Sequence, residues 1–257
     1  MKIGRFQKGE RVFFGVVLDS EVIEIPEVYS PDRIPSYEEV HELKSLKILA
    51  PVWPTKIIGV GLNYKDHAKE LGLSLPKEPL FFFKPPSAVI GPEEIIYLPP
   101  ESKEVHYEGE LAVVIGKKLY RPKSYEEVEK AIFGYTCFND VTARDLQKKD
   151  FQWSRCKSFD TFAPLGPFIE TNLNPLNLKI ETYVNGELKQ NSSTSELLFN
   201  PYELVKFVAH IMTLYPGDII ATGTPPGVGA LKDGDVVEIK IEGIGILRNY
   251  VKNYSER

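Results

Sequence analysis

His106-Tyr107-Glu108-Gly109-Glu110-Leu111-Ala112-Val113-Val114-Ile115-Gly116 is the stretch on which the fold turns. Side chains alternate across a strand with a period of two. Glu108 and Glu110 therefore share one face with Ala112 and Val114, while Tyr107, Leu111, Val113 and Ile115 share the other. Both faces turn apolar within a few residues, so the run reads as a strand entering a core with its acidic end at the mouth. Two carboxylates at such a point are costly to bury without a compensating cation. His106, on the glutamates' face, reads as a neighbour of the site rather than a ligand.

A third acid, Asp140, closes the next strand-like run, Phe133 to Asn139. Carboxylates with few nitrogen or sulfur donors suit a hard ion, Mg²⁺, Mn²⁺ or Ca²⁺, whereas zinc usually recruits His or Cys. Read alone, Glu-x-Glu is more often a solvated acidic edge, and it gains weight only from its surroundings.

Further strands are predicted at Arg11 to Leu18, Glu21 to Ile25, Lys56 to Val60, Leu80 to Phe83, Leu178 to Val184, Asp218 to Ala221 and Val236 to Ile241. Asn185-Gly186 between two such runs signals a type I′ hairpin, and Gly243 and Gly245 suggest a second hairpin or bulge. Ser124-x-x-Glu127 predicts a capping box, and Asn200-Pro201-Tyr202-Glu203 starts a helix expected to reach about Leu214. The order is not a βαβα alternation, which predicts a β-rich α+β fold. Residues 1–54 read as a small β meander and a proline-rich connector with one short helix near Tyr37 to Leu46, and residues 55–257 as the main domain.

Composition narrows the function. The chain of 257 residues is 42% hydrophobic and 26% charged, with a formal net charge of −5 and no basic stripe, which gives no reason to expect nucleic acid. No apolar run suits a membrane span, the N-terminus lacks the apolar core of a secretory signal, and the two cysteines, Cys137 and Cys156, form no C-x-x-C. The expectation is a cytoplasmic protein that meets no membrane.

Other motifs carry chemistry. In Asn63-Tyr64-Lys65-Asp66-His67-Ala68-Lys69-Glu70, a helical turn would put His67 and Glu70 on one face. A carboxylate beside an imidazole fixes its tautomer and raises its basicity, as a general base requires. Arg144 and Gln147 fall three apart on a predicted helix after Asp140. Lys157 would stabilise negative charge developing near the cation. Thr222-Gly223-Thr224-Pro225-Pro226-Gly227 is neither a P-loop nor G-x-G-x-x-G, and reads as a stiff loop offering backbone N–H groups and Thr224 to a ligand. His41 and His210 read as ordinary surface or packing residues.

Together, His-x-x-Glu, Glu-x-Glu, Asn-Asp-x-x-x-Arg-Asp-x-Gln, Lys-x-Phe-Asp-x-Phe and Thr-Gly-Thr-Pro-x-Gly resemble the fumarylacetoacetate hydrolase family over about residues 55–250. The resemblance implies a rolled mixed β-sheet around a central metal. It implies Mg²⁺ or Mn²⁺, with Ca²⁺ as a substitute, on Glu108, Glu110 and Asp140. It implies a lid bearing the dyad His67–Glu70, Lys157 beside the metal, substrate contacts from Arg144, Gln147 and Thr224, and a homodimer. The chain lacks the large N-terminal domain of fumarylacetoacetase and has Phe151 where that enzyme has tyrosine, so the shorter relatives are the better guide. The activity expected is hydrolysis or decarboxylation of a C–C bond in a small 2-oxo or 2-enol acid, through an enolate. The alternatives are the 1,3-proton shift of 2-hydroxyhepta-2,4-diene-1,7-dioate isomerase and a non-catalytic, metal-dependent binding protein.

Overall fold

The computed structural model describes residues 1–26, 39–66 and 76–254. Its N-terminal strands are β1 (Lys2–Lys8), β2 (Arg11–Leu18), β3 (Glu21–Ile25), β4 (Val40–Glu42) and β5 (Lys47–Leu49). There follow β6 (Ile57–Gly61), β7 (Leu80–Lys84), β8 (Val89–Ile90), β9 (Ile95–Leu98), β10 (Val105–Tyr107), β11 (Gly109–Ile115), β12 (Ile132–Asn139), β13 (Thr142–Ala143) and β14 (Ala163–Glu170). The last are β15 (Lys179–Val184), β16 (Glu187–Ser193), β17 (Ile219–Ala221), β18 (Gly229–Ala230), β19 (Val236–Ile241) and β20 (Gly245–Asn253). Helices with described bounds are short: α1 (Tyr125–Ala131), α2 (Arg144–Lys149) and α3 (Pro201–Ile211). None among the described residues is long and apolar enough to cross a membrane.

A mixed twelve-stranded sheet runs β4-β3-β2-β1-β14-β12-β11-β17-β6-β7, with β5 added to β1 and β8 to β14. Its parallel pairings are β6 with β17 and β8 with β14. A five-stranded sheet, β16-β15-β19-β20-β9, packs against β11, β12 and β14. A third sheet, β13-β10-β18, carries the short strands beside the acidic run. This is the β-rich mixed architecture expected from the strand order.

β11 lies between two cores, and every one of its residues is buried. Leu111, Val113 and Ile115 join Val128, Leu204, Val205 and Val208 from α1 and α3 on one side. Ala112 and Val114 join Phe138, Leu165, Ile169 and Ile219 on the other. The period-two reading therefore holds over residues 111–115. Asn185 (φ 53°) and Gly186 (φ 79°) both take left-handed backbone, and Val184 pairs with Glu187, so they form the two-residue hairpin turn.

Several expectations change. No helix forms over the described part of Tyr37 to Leu46: β4 pairs with β3, Leu43 N–H donates to Ser20 O (2.8 Å), and a 3₁₀ turn covers Leu43–Ser45. Backbone pairing with β3 overrides the local helical pattern. The strand predicted from Tyr107 is broken at Glu108, which leaves the ladder between β10 and β11. Only half of the capping box at α1 forms, because Glu127 Oε2 accepts from Lys123 N–H and not from Ser124 N–H, whereas both halves form at Asn200. Helix α3 stops at Ile211, and Leu214 is held instead by paired backbone bonds to Leu119. β1 and β14 were not predicted as strands, yet their pairing joins the N-terminal meander to the main sheet.

Candidate active site

The acidic cluster is set by how two neighbouring strands end. β11 and β12 are antiparallel with Gly109 opposite Asn139, so Glu108 and Asp140 stand side by side at one end of the pair. Asp140 N–H donates to Glu108 O (2.8 Å), and Glu108 N–H donates to Asn139 Oδ1 (3.0 Å). Carboxylate oxygens of Glu108, Glu110 and Asp140 lie within 4.8 Å of one another, and all three residues are buried. Glu110 Oε2 accepts from Gly223 N–H (2.8 Å) in the loop after β17. Gly223 has φ 98°, and a Cβ there would stand 2.9 Å from that of Asn63, so the close approach of this loop requires glycine.

Three buried or half-buried cations face these acids. Lys157 Nζ donates to Glu108 Oε2 (3.0 Å) and Asp140 Oδ2 (2.5 Å). Lys84 Nζ donates to Asp140 Oδ1 (2.5 Å) and Val141 O (3.0 Å), and its side chain has no exposure. Arg144 Nη2 pairs with Glu108 Oε1, and its Nη1 donates to Gln147 Oε1 (2.5 Å). Lys84 escaped the sequence reading. The available signal was a lysine ending the aromatic run Leu80-Phe81-Phe82-Phe83 just before two prolines.

The partners set the protonation states. Burial opposes ionisation of Glu108, but Lys157 and then Arg144 outweigh it and hold the carboxyl far below its ordinary range. Burial also works against the charge on Lys157, but Asp140 and Glu108 hold its ammonium above the usual lysine range. Burial and then the neighbouring Lys157 pull Lys84 down, against the attraction of Asp140. Among the described residues, Glu110 has no cation of its own. Burial, Asp140 and Glu108 push it well above the ordinary carboxylate range, so of the three acids it is the one whose proton is held most firmly.

Binding of a divalent cation selects the ionised carboxylate and must expel that proton. Mg²⁺ binding should thus release on the order of one proton at mildly acidic pH. Affinity should strengthen as pH rises through the raised Glu110 value and level off above it. Calorimetry in buffers of different ionisation enthalpy measures this directly, and a binding enthalpy independent of buffer would count against it.

The surrounding residues position the cluster. Arg144 Nε donates to His106 Nδ1 (3.4 Å), and His106 Nε2 meets Glu104 Oε1 (3.0 Å). Burial and then Arg144 lower the His106 value, so it acts as a neutral support for Arg144, matching its reading as a neighbour. Thr224 Oγ1 donates to Gly109 O (3.0 Å) and accepts from Gln190 Nε2 (2.8 Å), so its proton is committed to the backbone. Gln190 also accepts from Gly109 N–H (3.0 Å) and escaped the sequence reading. Asn63, which opens the His67 segment, donates to Thr222 O (2.7 Å) and Phe199 O (2.9 Å). His67 and Glu70 themselves lie outside the described residues.

A cavity of about 260 Å³ opens onto the cluster, and its polar lining is Glu108, Glu110, Asp140, Arg144, Gln147, Lys148, Lys157 and Thr224. Phe82 and Trp153 add aromatic lining, edge to face with centroids 5.5 Å apart, and Lys157 Nζ lies 4.7 Å from the Phe82 ring centre. The tertiary fold thus brings together seven of the nine residues singled out from the sequence. An all-oxygen donor set of three buried acids fits a hard divalent ion.

Similarity to known proteins agrees with this chemistry. The family model Fumarylacetoacetate (FAA) hydrolase C-terminal matches residues 56–252, and the model Rv2993c-like, N-terminal matches residues 1–51. Oxaloacetate tautomerase Fahd2a of Rattus norvegicus is 48% identical over 215 residues, 79% of this chain and 68% of that protein. The solved structure of 5-carboxymethyl-2-hydroxymuconate delta-isomerase from Mycobacterium smegmatis is 43% identical, with a TM-score of 0.89, covering 98% of this chain and 99% of that one. Maleylpyruvate hydrolase from Sphingobium sp. SYK-6, solved with manganese(II) and pyruvate, is 31% identical, with a TM-score of 0.81 over 98% of this chain and 99% of that one.

Proposed function

Because the chain belongs to the fumarylacetoacetate hydrolase family, we propose that it is a divalent-cation-dependent enzyme that acts on a small dicarboxylic 2-oxo acid through its enolate. The observation that carries this reading is the charge balance of the cavity. Glu108, Glu110 and Asp140, when all ionised, carry three negative charges against the three positive charges of Lys84, Lys157 and Arg144, which pair directly with Glu108 and Asp140, while Lys148 on the lining pairs with Glu104. A divalent ion added to that balance leaves an excess of positive charge, which a dianionic substrate matches and a monoanion does not.

Mg²⁺ or Mn²⁺ held by Glu108, Glu110 and Asp140 would supply Lewis acidity toward the substrate's 2-oxo oxygen. Lys157 adds a buried ammonium where negative charge develops, in surroundings too dry to screen it. Arg144 and Gln147 present amide and guanidinium donors to a substrate carboxylate. The rings of Phe82 and Trp153 would help to exclude water from the cavity. The dyad His67–Glu70, carried over from the family resemblance, would move the proton to or from carbon 3.

Three outcomes pass through such an enolate. A proton shift needs only the base, whereas hydrolysis needs an activated water and decarboxylation loses carbon dioxide. Sequence alone placed C–C cleavage first. The 48% identical tautomerase and the 43% identical isomerase support the proton shift more strongly, and the 31% identical hydrolase supports cleavage as the second reading.

The test is a substrate panel with Mg²⁺ and Mn²⁺, following enol-to-keto conversion of oxaloacetate, pyruvate release and acylpyruvate cleavage separately. Oxaloacetate should turn over with a kcat/KM at least about tenfold above that of a monocarboxylic acylpyruvate, roughly 1.4 kcal/mol of discrimination. Chelation should abolish both. His67→Ala should retain the cation yet lose about 10²–10⁴-fold in the proton-shift rate. Turnover unaffected by chelation would sink the reading, and equal preference for the monocarboxylate would remove its substrate class.

A further inference from the structure

We propose that Glu24, Glu39 and His41, at the edge of the N-terminal meander, form a second cation site, for a borderline transition metal such as Zn²⁺. The strand register creates it. Val22 pairs with His41 and Ile23 with Val40, and Glu24 N–H donates to Glu39 O (3.1 Å). With alternation along each strand, Glu24, Glu39 and His41 emerge on one face, and the two glutamates sit directly opposite each other. Like charges placed that way repel and call for a positive partner.

Arg11 is part of that partner. Its Nη2 donates to Glu24 Oε1 (2.7 Å) and its Nη1 to Glu39 Oε2 (3.0 Å). Glu24 Oε2 is left over, buried and, among the described residues, without a hydrogen-bond partner. So is His41 Nε2, although the His41 side chain is only 4% exposed and packs on Phe13 with ring centres 4.8 Å apart. Leaving such a nitrogen unpaired is costly. It stands 3.8 Å from Glu24 Oε2 and 3.6 Å from Glu39 Oε2. Those separations are too long for hydrogen bonds. They are close to the roughly 3.3 Å between donors that each lie about 2 Å from one tetrahedral ion.

One imidazole nitrogen with two carboxylate oxygens is a transition-metal donor set, distinct from the all-oxygen cluster of the cavity. Lys8 is the other charged group facing the ring, with Nζ 3.3 Å from His41 Nδ1. Metal on Nε2 leaves the proton on Nδ1, so the exposed Lys8 ammonium must swing into solvent, which its long side chain permits. The two sites share no residue, and β4 is six strands from β11 in the sheet. The ion would staple β4, an edge strand of three residues held through β3, to the sheet. It would stabilise the folded state because only that state presents all three ligands.

The experiment measures Zn²⁺ uptake by equilibrium dialysis, with Co²⁺ as a visible reporter of imidazole ligation and the melting temperature as a second readout. The proteins are wild type, Glu110→Gln, Glu39→Gln and His41→Ala. Glu39 is 65% exposed, so Glu39→Gln tests the site without disturbing the core if His41→Ala fails to fold. Wild type should take up one equivalent more than Glu39→Gln or His41→Ala, and Glu110→Gln should keep the N-terminal equivalent together with its Co²⁺ spectrum. Zn²⁺ should raise the melting temperature of Glu110→Gln, and adding Glu39→Gln should weaken that binding at least about tenfold. Equal uptake by wild type, Glu39→Gln and His41→Ala would overturn the proposal while leaving the cavity's cation untouched.

Discussion

Glu110→Gln should lose all measurable turnover and at least about 100-fold in Mg²⁺ affinity, since even residues that only orient metal ligands are worth about 10–100-fold. Its stability without metal should stay level or rise. The Glu110 carboxyl is buried, has no ion-pair partner among the described residues and is pushed well above the ordinary carboxylate range by burial, Asp140 and Glu108, so a neutral amide of the same shape replaces it at little cost. Glu108→Gln should behave in the opposite way. Glu108 receives Lys157 at 3.0 Å and also pairs with Arg144, and its value is held far below the ordinary range. Removing that charge leaves two cations short of a partner, which typically costs about 3–5 kcal/mol. Urea unfolding with chelator and with Mg²⁺, alongside calorimetric titration, separates the two variants. Unchanged Mg²⁺ affinity in both would dismiss the acidic cluster as the cation site, and equal destabilisation by both would dismiss the different protonation states.

Lys157→Ala should be the second large effect. Its side chain is 2% exposed and its ammonium bridges Glu108 and Asp140, so among the described residues its loss leaves two buried acids to Arg144 and Lys84. Without a cation the variant should unfold about 3 kcal/mol more easily than wild type. Mg²⁺ supplies positive charge to the same carboxylates, so it should stabilise the variant more than wild type and narrow that gap. Binding at a concentration 100 times Kd contributes about 2.7 kcal/mol to any protein that binds only when folded. The sign with pH follows from Glu108. A carboxyl with a depressed folded-state value stabilises the protein above its ordinary value of 4.5, and that contribution is lost as acid takes the pH down toward the depressed value. Lys157→Ala should therefore flatten the acid limb of the stability curve. Turnover should fall for proton shift and cleavage alike, because both pass through the same enolate. A gap between variant and wild type that Mg²⁺ does not change would argue that Lys157 is only a packing residue.

Much of the site was legible in the chain because it is built from short-range patterns. Glu108 and Glu110 are two residues apart on a strand whose apolar continuation announces burial. Asp140 ends the neighbouring strand, and antiparallel pairing delivers it beside Glu108 without any long-range specification. Arg144 and Gln147 need only one turn of helix to meet. Lys84 was illegible by the same logic: a lone lysine after an aromatic strand has no periodic signature, and only the pairing of β6 with β7 and the turn after β12 bring it to Asp140. Gln190 was illegible because β16 is polar along much of its length, and its one fully buried side chain meets Gly109 only through packing of the two sheets.

By itself the sequence determined the β-rich class, the family, the acidic triad, the Asn185-Gly186 turn and the Asn200 cap, because each rests on alternation, turn chemistry or motif spacing within a few residues. Tertiary structure decided the rest. It broke the acidic strand at Glu108, replaced the expected helix before Leu46 with an edge strand, and carried β1 onto β14, because paired backbone groups outweigh weak local propensities. It also decided how firmly each acid holds its proton. Glu108 and Glu110 are the same residue type two positions apart, yet Lys157 and Arg144 reach one and leave the other to a backbone N–H, and in a buried site that difference sets the charge.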